Sequence, residues 1–276
     1  MSPFHSSSLR SLLHAVTAAT VSFMLSATAA AADTGTAAAD SRDYYLRAGV
    51  TLERSRDVRF LDRDCSSETP AALYGCGDGP DGTPLQSRGG FDTMPGFELG
   101  LGFRASPLLR LEAGLAYRPT FSFQGEANFL ERGRRQEVSV DASSISAMLA
   151  AYLDLPGLGM PRLGPFSPFV GGGIGVSRIE TDETHMEFPR TRTIVPGGHR
   201  TDFAWMLVAG LAVSAGERTT LELAWRYADF GTVETGRGTG RVVWRDASRE
   251  PLPLDLAETR ASLASHGLHL SLRYAF

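Results

Sequence analysis

The sequence predicts an all-β protein, an eight-stranded, antiparallel, up-and-down transmembrane β-barrel with short turns at one end and long loops at the other. Three observations carry this expectation. Apolar and polar residues alternate with a period of two in segment after segment, and the connections between those segments are long and short by turns. Past the first 32 residues no apolar stretch is long enough for a membrane helix, so any crossing of a bilayer has to be made by strands.

Export is legible at the start of the chain. One cation, Arg10, precedes a mostly apolar stretch from Leu12 to about Ala27, which runs into the small-residue sequence ATAAAAD. That order is the pattern of a cleavable secretory signal over residues 1–32, with the cut after Ala32. His14 and the serines and threonines inside the stretch leave too short an apolar core for a stable span. Residues 33–42 read as a short linker and 43–276 as the barrel domain. The formal net charge is -4, and because residues 1–32 carry Arg10 and no acid, the mature chain stands at -5. A nucleic-acid partner would need a basic stripe, and none is present. All 27 cationic residues are arginine, a compositional bias that carries no function by itself.

The strands follow in order. DYYLRAGVTL sets Tyr44, Leu46, Ala48, Val50 and Leu52 against Tyr45, Arg47, Gly49 and Thr51; GFELGLGFR sets Phe97, Leu99, Leu101 and Phe103 against Glu98, Gly100, Gly102 and Arg104. LLRLEAGLAYR opposes Leu109, Leu111, Ala113, Leu115 and Tyr117 to Arg110, Glu112, Gly114, Ala116 and Arg118. SSISAMLAAYL opposes Ile145, Ala147, Leu149, Ala151 and Leu153 to Ser144, Ser146, Met148, Ala150 and Tyr152. FVGGGIGVSRI, over 169–179, is a glycine-rich strand whose facing stays open. FAWMLVAGLAV alternates Phe203, Trp205, Leu207, Ala209, Leu211 and Val213 with Ala204, Met206, Val208, Gly210 and Ala212, and LELAWRYADFG sets Leu221, Leu223, Trp225 and Tyr227 against Glu222, Ala224, Arg226 and Ala228. GLHLSLRYAF, ending on Phe276, is the eighth.

Long connections span 53–93, 119–141, 180–202 and 230–265, whereas Ser106-Pro107 and Ala215–Arg218 are tight and 155–168 is a Pro/Gly-rich turn region. An even strand count with this asymmetry puts short turns and both termini on the periplasmic side and long loops outside the cell. Ten strands remain open if Arg241 to Trp244 and their neighbours add a hairpin in the last loop.

Alternation alone does not say which face is outside, since a soluble ligand-carrying barrel has the same period. Two features favour the apolar face outward. The polar face carries Gly49, Gly100, Gly102, Gly114 and Ala116, which a narrow side-chain-filled lumen requires and a wet surface does not. Aromatics sit toward the ends of the apolar stripes, at Tyr44, Phe103, Tyr117, Tyr227, Tyr274 and Phe276, as expected for rings at the two membrane interfaces. The lumen then receives a polar network of Arg47, Glu98, Arg110, Glu112, Glu222, Arg226, His269 and Arg273. Its charges nearly cancel, which fits paired ions better than a channel selective for one sign.

PFVGGGIGVSRI, the FAWMLVAGLAV to LELAWRYADFG hairpin and the LHLSLRYAF ending resemble the small outer-membrane barrel family that includes the OmpA-type transmembrane domain and the opacity-type surface proteins. The most specific elements are the W-R-Y-x-D-x-G run at Trp225 to Gly231 and the terminal Tyr274-Ala275-Phe276. The resemblance covers about 43–276. It implies a monomeric barrel in the outer membrane of a Gram-negative cell, bathed in lipid and lipopolysaccharide, with a structural, envelope-integrity or surface-adhesion role and an extracellular ligand reached through the loops. It also implies that Leu272, Tyr274 and Phe276 form the signal read by the outer-membrane assembly machinery. The chain ends at the barrel, without a peptidoglycan-binding domain, so a wall-tethering role is not expected.

Cys65 and Cys76 are the only cysteines, lie in the first long loop, and are expected to pair in an exported chain. GCGDGPDGT offers Asp78 and Asp81, but its spacing is not that of a calcium loop, and both read as solvated turn residues. GRGTGR at 236–241 lacks the lysine of a phosphate loop and reads as flexible loop. His269 and Ser271 form a His-x-Ser pair similar to that of the lipid A deacylase barrels. Here the pair faces the lumen near the periplasmic end, away from outer-leaflet lipid, and no catalytic residue, metal or cofactor is expected. A small porin and a lipid A acyl hydrolase are the alternatives to a non-enzymatic barrel.

Overall fold

The computed structural model describes residues 44–131 and 135–276; the expected signal and linker fall outside the described residues. The strands are β1 Tyr44–Ser55, β2 Val58–Asp62, β3 Ser87–Phe91, β4 Met94–Arg104, β5 Leu109–Ala127, β6 Gln136–Asp154, β7 Phe166–Thr181, β8 Thr184–Glu187, β9 Thr191–Val195, β10 His199–Ser214, β11 Thr219–Glu234, β12 Gly238–Trp244, β13 Leu252–Leu256 and β14 Thr259–Ala275. Eight of them form a ring. Each of β1, β4, β5, β6, β7, β10, β11 and β14 pairs antiparallel with the next, and β14 returns to β1. The seam runs from Tyr45 opposite Ala275 to Ser55 opposite Ser265.

The strand count exceeds the expected eight because the long connections are themselves built of strands. β2 bridges β14 to β3, and β3 lies on the upper end of β5. β8 and β9 form a hairpin on the upper end of β6, β12 lies on β9, and β12 and β13 pair. The last-loop hairpin that a ten-stranded ring would need therefore forms, but outside the ring. Its first strand takes in most of GRGTGR, so that run is ordered β-structure rather than flexible loop.

Outward rows are apolar over a band of limited height. β1 presents Tyr44 through Leu52 and then Arg54; β14 presents Tyr274 back to Leu268 and then His266; β6 presents Leu153 back to Ile145 and then Ser143 and Asp141. About nine residues per strand is the length needed to cross a hydrocarbon core on a tilt. The open facing of β7 is settled: Val170, Ile174 and Val176 are half exposed, while Phe169, Ser177 and Ile179 are buried within.

Above this band the chemistry inverts. In β6 one alternation runs through both zones, but its inward residues change from Ser144 and Ser146 to Ala142, Val140 and Val138, and its outward ones from Ile145 to Asp141 and Glu137. In β5 and β11 a shift of register accompanies the change, between Arg118 and Phe121 and between Asp229 and Thr232. Gly231 takes the left-handed φ of 80° at the second shift, and its N–H donates to the Asp229 carboxylate at 2.9 Å. The W-R-Y-x-D-x-G run is thus a bulge that turns Phe230 and Val233 inward where strict alternation would give Phe230 and Thr232.

Candidate functional site: a charged interior under an apolar cap

The lower interior is filled by side chains from one side of the ring. β1, β4, β5, β11 and β14 supply the large charged groups, while β7 and β10 face them with Gly171, Gly173, Ala204, Met206, Gly210 and Ala212. Glycine is required on the charged side too, where side chains cross over a neighbouring strand: a Cβ on Gly100 would meet Glu112 Oε1 at 2.6 Å, and one on Gly49 would meet His269 Nε2 at 2.7 Å.

Two ion networks result. In the first, Arg47 from β1 holds Glu112 of β5 through Nε (2.9 and 3.0 Å) and Nη2 (2.6 Å) and reaches Glu98 of β4 at 3.3 Å. His269 Nε2 lies 2.8 Å from Arg47 Nη1 and 3.2 Å from Glu98. Arg226 pairs with Glu98 and donates to Glu53 at 2.7 Å, and Glu53 also accepts from Arg118 at 3.0 Å. Nearer the short turns, Arg110 is clamped by Asp154 (2.9 Å) and reaches Glu222 at 3.2 Å, which Arg273 approaches at 3.4 Å. The Arg110 guanidinium lies 5.0 Å from the Tyr152 ring centroid and 5.3 Å from that of Phe169.

All eight residues expected in the lumen are buried inside the ring, and the networks bring all of them into contact. Three members were missed. In the sequence Glu53 opens the first long connection, Arg118 stands on the polar face with no partner signalled, and Asp154 borders a Pro/Gly-rich turn. With them the interior holds five arginines against four glutamates and one aspartate, so the pairing is balanced. The His-x-Ser pair is engaged rather than free: His269 sits between Arg47 and Glu98, and Ser271 Oγ donates to Glu222 at 3.4 Å. The space left between Arg47, Glu98, Glu112, Arg118 and Arg226 is a cavity of about 20 Å³, the size of one water molecule.

Above the ions lies an apolar core. Phe60, Phe91, Met94, Phe121, Phe123, Val138, Val140, Ile179, Met186, Val233 and Leu263 are all buried. Phe91 packs edge-on against Phe121 and Phe123 with centroids 5.0 and 5.5 Å apart, and Phe60 meets Phe123 at 5.1 Å. The aromatics of this cap come from connections that were expected to be plain loops. Cys65 and Cys76 are joined in a disulfide beside it. Asp62 accepts from the N–H groups of Leu73, Tyr74 and Gly75, and burial pushes the Tyr74 hydroxyl above its ordinary range. Asp81 is not merely solvated: its carboxylate accepts from Thr83, Asn128 and Arg135, and the Thr83 hydrogen bonds hold it well below the usual carboxylate range. Asp78 is exposed and forms a bridge to Pro84. No group of three or more His, Cys, Asp or Glu placed to hold a metal occurs among the described residues.

The expected interface aromatics lie at the ends of the outward rows. Tyr44 and Phe103 are cross-strand neighbours at the short-turn end, with centroids 6.2 Å apart. Tyr117 stands opposite Phe97 toward the long-loop end, where Tyr227 packs on Trp205 at 5.4 Å. Leu272 and Tyr274 on the last strand and Phe276 just past its end are half exposed, and the Phe276 N–H donates to Tyr44 O at 3.1 Å.

A closed antiparallel ring with an apolar band outside and paired ions within defines an integral outer-membrane β-barrel. The chain belongs to the family described as outer membrane protein beta-barrel domain, whose model matches residues 17–276. Its curated relatives include uncharacterized proteins of Brucella abortus, Brucella suis and Brucella melitensis, each 29% identical over 147 residues, 48% of this chain and 50% of theirs. The chain spans about half the length of these curated relatives. Among solved structures it is similar to the outer membrane protein OprG from Pseudomonas aeruginosa (11% identical, 84% of this chain and 96% of that one, TM-score 0.46). Neisserial surface protein A is 12% identical over 85% of this chain and 97% of that one, with a TM-score of 0.36.

Proposed function

We propose that this protein is a non-enzymatic, monomeric barrel with a closed membrane-spanning interior, serving envelope integrity or surface adhesion through its extracellular storey. The observation that carries the reading is the packing of the lower interior, where balanced ion pairs fill the ring and the cavity among Arg47, Glu98, Glu112, Arg118 and Arg226 is about the size of one water. The apolar cap above supports it, because a conduction path would have to pass through packed phenylalanines. It also supports display: the extracellular strands share a core, and the first long connection is closed on itself by Cys65–Cys76 and clasped to Asn128 and Arg135 at Asp81, an ordering that lowers the entropy lost on binding a ligand. Engagement of Ser271 by Glu222 inside the ring favours the non-enzymatic reading over acyl transfer at the lipid face. Leu272, Tyr274 and Phe276 serve as the recognition element for the assembly machinery.

Conductance of the refolded protein in planar bilayers tests the closed interior. A quiet bilayer is expected; stepwise currents of porin size would replace this reading with a small porin. Loss of a lipid A deacylating activity in Ser271→Ala would replace it with the hydrolase.

A further inference from the structure

The three short turns differ in a way that closing the ring does not require. Two of them, 105–108 and 215–218, are short and largely small or polar. The third, LPGLGMPRLGP at 155–165, displays Leu158, Met160 and Leu163 at 58, 50 and 59% exposure, with Arg162 as its single charged residue. Three large apolar side chains exposed within six residues of one turn are unfavourable in water and mark a contact surface.

The turn is also held in shape. The Asp154 N–H donates to Leu108 O at 2.8 Å, and a Cβ on Gly157 would meet Leu108 Cα at 2.7 Å, so the first half lies against the neighbouring turn. Leu163 and Phe166 exchange both backbone hydrogen bonds, at 3.0 and 3.2 Å, and Pro156, Pro161 and Pro165 restrict the rest. Order of this kind lowers the entropy lost on contact.

The surface is continuous with the lipid-facing band. Phe166 begins β7 on the outward row that continues through Val170, Ile174 and Val176, and its backbone pairing with Leu163 carries that row past the end of the strand. On the other flank Leu153 ends the outward row of β6. We propose that residues 158–163 dip into the periplasmic leaflet, with Leu158, Met160 and Leu163 among the acyl chains and Arg162 at the phosphate of an anionic phospholipid. Arginine suits this position because its stem lies in apolar surroundings while its head reaches the interface. In the ring the β6–β7 junction is diametrically opposite the β14–β1 seam, where Phe276 is 49% exposed, so the two apolar contacts together resist tilting of the barrel.

Spin labels on the full chain, with Cys65–Cys76 oxidised, test this in vesicles of phosphatidylethanolamine and phosphatidylglycerol. Labels at Met160→Cys and Leu163→Cys should collide readily with oxygen and lose contact with a water-soluble nickel complex; a label at Glu217→Cys, in the 215–218 turn, should do the reverse. Arg162→Glu should shift the label at 160 toward water in these vesicles but not in vesicles of phosphatidylcholine alone. Nickel access at 160 and 163 equal to that at 217 would overturn the proposal and leave the turn free for a periplasmic protein. An unchanged depth in Arg162→Glu would overturn the headgroup contact. Should a labelled chain fail to refold, Met160→Trp read by quenching with brominated lipid gives the same decision: quenching beyond that of the wild-type tryptophans supports insertion, and none opposes it.

Discussion

Arg47 and Glu112 meet across an intervening strand: Glu112 leaves β5, lies over Gly100 of β4, and closes a bidentate ion pair with Arg47 of β1 at 2.6 to 3.0 Å. Both ends are buried, so neither charge can be recovered by water if its partner is lost. Arg47→Leu should therefore destabilise the barrel by about 3–5 kcal/mol, read by urea unfolding in lipid vesicles. The double variant Arg47→Leu/Glu112→Leu should recover most of that loss; equal losses in single and double variants would mean that the two residues are not coupled.

Gly231 carries the bulge that turns the upper part of β11. A side chain there would sit at φ 80° and bring a Cβ to 2.6 Å from Asp202 Cβ. Gly231→Ala should cost about 1–3 kcal/mol, whereas Gly216→Ala, in a short turn where a Cβ would make only an ordinary contact with Thr219 Cβ at 4.0 Å, should leave the unfolding midpoint unchanged.

Reduction of Cys65–Cys76 separates the two storeys. The disulfide closes a short loop of the first connection, outside the ring pairings, and in the chain-entropy view constrains the unfolded segment by about 3 kcal/mol. Reduced protein should become sensitive to protease within 63–86 while the ring keeps its folded electrophoretic mobility. Collapse of that mobility on reduction would show that the connection supports the ring.

Phe276 contributes one backbone hydrogen bond, to Tyr44 O, and an exposed ring. Its removal should lower the amount assembled in cells several-fold more than it lowers stability in detergent. Equal losses in both would contradict an assembly role.

The ring itself was legible because lipid outside and ions inside impose one simple alternation, and seven of the eight segments display it, the glycine-rich 169–179 leaving its facing open. The extracellular storey was not, although its period is also two. In QEVSVDAS the apolar residues Val138 and Val140 point inward and Glu137 and Asp141 outward, the reverse phase, so an apolar-out template passes over them. In β5 the register shift between Arg118 and Phe121 hides the continuity further, and Pro119 reads as a strand end. Glu53 escaped the ion network for a related reason: it lies where the outward row changes to Arg54, which looks like the start of a loop. The pairing of Glu53 with both Arg118 and Arg226 depends on side chains meeting across the ring, which no local pattern encodes.

Single-channel recording of the refolded wild-type protein in a planar bilayer tests the closed interior most directly. Two balanced ion networks beneath a phenylalanine core predict a bilayer that stays at baseline conductance over long recordings. Reproducible open steps of porin size, altered by Arg47→Leu, would contradict it.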